Sequence, residues 1–182
     1  MSDFHDIVVG KVIAQLSDGK VTVQIHSEHG EPQQDCWVLQ PYAGNKFGMF
    51  MIPEVSSEVL VAWIKGMTEP VVLGCLWYGG DRPPTELQAG DPKLLQTKGG
   101  HQIRLVDREG AKKIEIVGSG GGNRIVIDTS RNSITIETGG KLRLRGSEIE
   151  IEAQGPLKLT GFTVSVTGQG PVNVEGKPIN LN

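Results

Sequence analysis

The residues best suited to chemistry in this sequence are scattered, and each set is incomplete. His26 and His29 flank Ser27 and Glu28. A zinc site takes four ligands in fixed geometry, and this polar loop supplies no matching second pair. Glu148, Glu150 and Glu152 alternate along one strand face. Glycosidic chemistry needs two carboxyl groups facing each other across a cleft, which a convex rod lacks. These glutamates read as outward charges that solubilise the strand and discourage edge pairing. His101 stands beside Gly99 and Gly100, where a structural role outranks a catalytic one. The run Gly118-Ser119-Gly120-Gly121-Gly122 lacks the strand-to-helix setting of a phosphate loop, and no G-x-S-x-G elbow occurs. Cys36 and Cys75 form no C-x-x-C pair and sit in apolar runs. They read as buried free thiols, and whether they are strand neighbours stays open. The expectation is therefore no catalytic residue, no metal, no cofactor and no enzyme.

Charge narrows the partners. The net charge is −3, but residues 1–96 hold 6 Lys+Arg against 12 Asp+Glu, while residues 97–182 hold 12 against 9. Phosphate binding depends on clustered basic residues, so the acidic first half argues against nucleic acid. Lys141, Arg143 and Arg145 form the best basic patch and read as a solvated strand face. No apolar run approaches the ~20 residues that span a bilayer. The acidic start, Met1 to Asp6, has no apolar core for a secretory signal, so synthesis without a signal peptide is expected.

The elements that must position these residues are strands throughout. Apolar alternation predicts strands over residues 7–16, 21–26, 36–39, 59–64 and 71–77, with Asp18-Gly19 as a hairpin turn. Five short strands with no helical pattern between them fit a small barrel of the OB type over residues 1–78. Trp37, Tyr42, Trp63, Trp77 and Tyr78 are expected to fill that barrel and its subunit contacts. Residues 79–96 break regular structure with Gly79-Gly80, Pro83-Pro84 and Gly90-Asp91-Pro92, and read as a linker.

Beyond the linker the chain repeats. Pairs of the form apolar-x-apolar begin at Ile103, Ile114 and Ile125, spaced 11 residues apart, and the next begins 9 later at Ile134. From there the first members, Ile134, Leu142, Ile149, Leu157, Val164, Val172 and Ile179, fall 8, 7, 8, 7, 8 and 7 apart. A short fixed period of alternating residues marks stacked strands. Residues 97–133 read as a transition and residues 134–182 as the regular stack.

Each late strand has one apolar side, because neighbouring side chains point oppositely. Ile134, Ile136, Leu142, Leu144, Ile149, Ile151, Leu157, Leu159, Val164, Val166, Val172 and Val174 share it. A lone ribbon of this kind is not stable in water. Three copies turning these residues to a common axis solve the problem and protect the strand edges. The fold class is thus all-β: an N-terminal OB barrel followed by a trimeric intertwined β-helix. Ten pairs at ~4.8 Å give a shaft on the order of 50 Å long.

Three stretches resemble a known family. Residues 36–63 (CWVLQPYAGNKFGMFMIPEVSSEVLVAW) and 69–84 (EPVVLGCLWYGGDRPP) resemble the barrel of VgrG-like spikes and phage baseplate assembly protein V. Residues 97–116 (TKGGHQIRLVDREGAKKIEI) resemble their barrel-to-needle junction. The resemblance implies a homotrimeric central spike of a contractile injection apparatus, caught up in a phage tail or tail-like particle and driven through the target envelope. Full-length VgrG proteins carry a hub region before the barrel, so a separate hub protein is expected here. Residues 79–92 leave no room for the lysozyme domain of some phage spikes, and the C-terminal stretch has no His-x-His iron apex. Pro178, Ile179 and Leu181 are the expected docking residues for a PAAR-type tip protein, and effector cargo is a further possible partner. The rival reading is an OB module that binds carbohydrate or nucleic acid on a β-solenoid stalk.

Overall fold

Alternating valines decide the first half of the fold. In the computed structural model, which describes residues 7–27, 30, 32–84 and 93–179, every regular element is a strand. β1 (Ile7–Gln15) and β2 (Val21–Ile25) are joined by the expected turn, in which Gly19 takes φ +84° and the Lys20 backbone N–H donates to Asp18 Oδ1 at 3.2 Å. β3 (Gln33–Val38) follows β2, and a two-residue hairpin, β4 (Ala43–Gly44) with β5 (Phe47–Gly48), interrupts the stretch read as a plain connection. β6 (Glu58–Ala62) and β7 (Val71–Leu76) complete a closed barrel in the order β1-β2-β3-β7-β6. All its ladders are antiparallel except the closing one, where Trp37 pairs with Val71 and Val38 with Val72 in parallel.

β1 serves two partners. Residues 10–15 pair with β2 and residues 7–11 with β6, with a register shift between Val12 and Ala14. A strand that bends across a barrel corner in this way needs an irregularity to re-aim it. Gly10 sits where both ladders meet. A Cβ there would lie 2.5 Å from Val23 Cγ1 and 2.8 Å from the Gln24 carbonyl oxygen, so only glycine lets the strands approach this closely.

The barrel core is aliphatic: Val12, Val21, Val23, Ile25, Val59, Val61 and Val72, with Cys36. This corrects the expectation that the aromatics fill it. Trp37, Tyr42, Trp63, Trp77 and Tyr78 all lie outside, exposed. The reason is size, since a five-stranded barrel leaves an interior just wide enough for valine-sized side chains. Cys36 faces the core and Cys75 is exposed, both as free thiols. Burial, then Asp35 and Glu69, pushes the Cys36 thiol up to about 11.

A second sheet follows, a meander in the order β12-β11-β10-β9-β8. Its strands are β8 (Lys93–Gln96), β9 (Gln102–Val106), β10 (Lys113–Val117), β11 (Asn123–Asp128) and β12 (Ser133–Thr138). β8 lies in the stretch read as linker, and Lys93 to Gln96 pair with β9. The Gly118–Gly122 run is the turn between β10 and β11, with Gly120 and Gly121 at φ +79° and +76° and the Gly118 N–H donating to the Asn123 carbonyl at 2.8 Å. Ile134 and Ile136, expected to open the regular stack, lie on β12.

The chain divides into two units, one ending at Glu137 and one beginning at Thr138. In the second, described up to Ile179, the backbone forms no strand ladder within the chain. Leu181 lies outside the described residues.

Candidate functional site: an uncovered aliphatic face

The register of the meander lines up its aliphatic residues. Ile116 stands opposite Ile103 on one side and Ile125 on the other, and Ile114 stands opposite Leu105 and Ile127; Leu95 extends the first row from β8. Alternation sends all of these to one face. That face is bare: Leu95, Ile103, Leu105, Ile114, Ile116, Ile125 and Ile127 are 38–48% exposed. The opposite face is better covered although it carries the charges. Glu115 is held by Arg104 at 3.7 Å from β9 and by Lys113 at 2.9 Å, and Arg124 donates to Glu137 across β11 and β12 at 2.7 Å. Glu137, first, holds the Arg124 guanidinium above its usual range.

In the second unit every described residue from Gly139 to Ile179 is exposed, polar and apolar alike. Leu142, Leu144, Ile149, Ile151, Leu157, Leu159, Val164, Val166, Val172 and Val174, with Ile134 and Ile136 of the first unit, are 51–73% exposed. Pro178 and Ile179 are exposed as well. Together these side chains expose on the order of 1,000 Å² of apolar surface.

The chemistry-bearing residues do not converge. His26 pairs with Glu58 at 2.8 Å on the barrel surface, and His29 lies outside the described residues. His101 Nδ1 accepts the Ser119 backbone N–H at 3.1 Å, tying two turns of the meander together. Among the described residues, no group of three His, Cys, Asp or Glu side chains is placed to share a metal ion. Glu148, Glu150, Glu152, Lys141, Arg143 and Arg145 are all exposed. No described helix is long and apolar enough to cross a membrane.

Sequence reasoning missed one surface. Tyr42, Phe47, Met49, Phe50 and Met51 are exposed around the β4–β5 hairpin, with the Tyr42 and Phe47 rings 5.5 Å apart. Lys20 lies 4.5 Å over the Trp37 ring between Asp18 and Glu69. The aromatic density of residues 36–51 was the available signal, and it marks an outer surface rather than an interior.

Comparison with known proteins agrees with this geometry. Residues 7–77, the closed barrel, match the type VI secretion system/phage-baseplate injector OB domain. The chain is 35% identical over 109 residues to the type VI secretion system spike protein VgrG4b of Pseudomonas aeruginosa, covering 53% of this chain and 14% of that protein. It is 30% identical over 113 residues to VgrG1a of the same organism, covering 54% and 18%. The actin cross-linking toxin VgrG1 of Vibrio cholerae is 27% identical over 95 residues, covering 47% and 9%. The matched stretch is thus a small part, under one fifth, of each of these relatives. Residues 7–77 thus match an injector OB domain of the type VI secretion and phage-baseplate kind, and about half of the chain is similar in sequence to VgrG spike proteins.

Proposed function

We propose that this protein is the structural central spike of a phage-tail-like contractile injection apparatus, working as a homotrimer and without catalysis. Three copies hide their aliphatic faces along one axis and complete one another's strand ladders as an intertwined β-helix. The barrel is seated on a separate hub protein, and the C-terminal end, at Pro178, Ile179 and Leu181, receives a PAAR-type tip. The role is mechanical: contraction drives the assembly through a target envelope, with load shared among hydrogen-bonded strands of three chains. Made in the cytoplasm, it is built into a tail or tail-like particle, with effector cargo as an optional passenger. In this reading the barrel spans 1–78, a linker 79–96, transition strands 97–133 and the needle 134–182, although β8 lies within the linker and β12 opens the needle stretch.

One observation carries this reading. The aliphatic pairs of residues 142–174 are exposed in a backbone that finds no ladder within its own chain. Light scattering at micromolar concentration is expected to give three times 19.6 kDa. A well-folded single-chain species would overturn the proposal. Removing residues 172–182 is expected to leave the trimer intact and abolish co-purification with a tip protein; retained tip binding would move the docking site elsewhere.

The exposed aromatics favour a second test. We read Trp77, Tyr78 and the β4–β5 hairpin as contacts to hub and neighbouring subunits. Trp77 lines a shallow cavity of about 340 Å³ with Leu94 and Gln96, so retention on a glycan array would favour the carbohydrate-binding alternative instead.

A further inference from the structure

The outward charges of the second unit are sorted by strand. Lys141, Arg143 and Arg145 alternate with Leu142 and Leu144, so a strand formed here in the proposed trimer carries only positive charge on its outer face. Glu148, Glu150 and Glu152 alternate with Ile149 and Ile151, and the next strand carries only negative charge. Gly146 and Ser147 separate the two. All six are exposed, and none takes an ion pair within the chain among the described residues.

The same chain shows what such charges do when a ladder exists. In the meander, the charges on the face opposite the isoleucines lie across neighbouring strands in opposite sign, as Arg104 with Glu115 and Arg124 with Glu137. Directly opposed like charges are disfavoured there and unlike charges favoured.

Resting on the trimeric reading above, we infer that the basic stripe Lys141/Arg143/Arg145 of one copy lies against the acidic stripe Glu148/Glu150/Glu152 of a neighbouring copy, and that this contact fixes the axial register of the three chains. Threefold symmetry puts the three basic strands at one height on three different faces. The strand lying on each must then come from an adjacent level, and no ladder joins levels within the chain. Because each stripe is uniform in sign, the match holds whichever way the strands run. A slip that laid basic on basic, or acidic on acidic, would set three like charges against three. The aliphatic repeat alone does not prevent that slip, since its pairs are near-equivalent at every level. The charges supply the distinction that Ile, Leu and Val cannot.

The test is charge reversal in the full chain. The K141E/R143E/R145E variant and the E148K/E150K/E152K variant should each lower the melting temperature of the trimer and cut trimer yield on refolding several-fold at low salt. Molar salt should shrink both losses. Combining the two sets, which restores opposite signs, should restore yield and melting temperature. Tryptophan fluorescence, which reports the first half of the chain because Trp37, Trp63 and Trp77 all lie there, checks that this part stays folded. Should either reversed set fail to assemble at all, the neutral variants R143Q, E150Q and the pair together provide the same cycle; non-additive melting shifts support the contact. Additive shifts, or a combined swap no better than its parts, overturn it while the parent remains a trimer. A parent that is not a trimer instead removes the reading beneath it.

Discussion

Ile149→Asp is expected to abolish the trimer. In the proposed trimer Ile149 turns to the shared axis, so the substitution gathers three carboxylates in a dry, aliphatic lining with no cation beside them. An unpaired buried charge costs several kcal/mol, and three such charges also repel one another. Some protonation would relieve part of this, because burial raises a carboxyl pKa, but a neutral acid still lacks partners there. Light scattering should report single chains or aggregates in place of the threefold mass. Ile149→Val is the matched control: it removes one methylene per chain at about 0.5–1.5 kcal/mol and should leave a trimer with a modestly lower melting point. An intact, heat-resistant trimer carrying the aspartate would count against an inward Ile149.

The second large effect belongs to the barrel. Val59 is fully buried, pairs with Gly10 on one side and Cys75 on the other, and lies in a core with no buried polar residue among those described. Val59→Asp therefore places a carboxyl where nothing can bond to it. The cost, several kcal/mol, takes most of the ~5–15 kcal/mol by which a domain is stable. Loss of the cooperative thermal transition, with tryptophan emission shifted toward that of the unfolded chain, is the expected reading. Val59→Ala should cost roughly 2 kcal/mol and keep the transition. An aspartate variant that melts like its parent would mean that this interior is open to water.

Much of this architecture was legible because strands announce themselves with period two. The five barrel strands were found within a few residues, since Val21, Val23 and Ile25, or Val59 and Val61, alternate between recognisable turns. The β4–β5 hairpin was not, because two residues per strand carry no alternation. β8 was missed for a related reason: Leu94 and Leu95 are adjacent, one on each face, and they follow the turn-like Gly90-Asp91-Pro92. The aromatics misled, because composition says how much apolar surface exists but not how narrow a barrel is. In the second unit the aliphatic pairs were plain, and in the proposed trimer their partners come from other copies.

The parallel junction between β3 and β7 has a consequence for how the protein is made. By joining the last free margins of the first sheet, it leaves the barrel nothing with which to recruit a strand from a stranger. The barrel can mature alone, at a rate indifferent to how many copies are present. In the proposed trimer the tail that follows is the reverse, since its rate of order depends on encounter and rises steeply with abundance. Between those two steps lies a finished head bearing a sticky ribbon, and the speed with which siblings meet decides whether that ribbon becomes a shaft or a tangle.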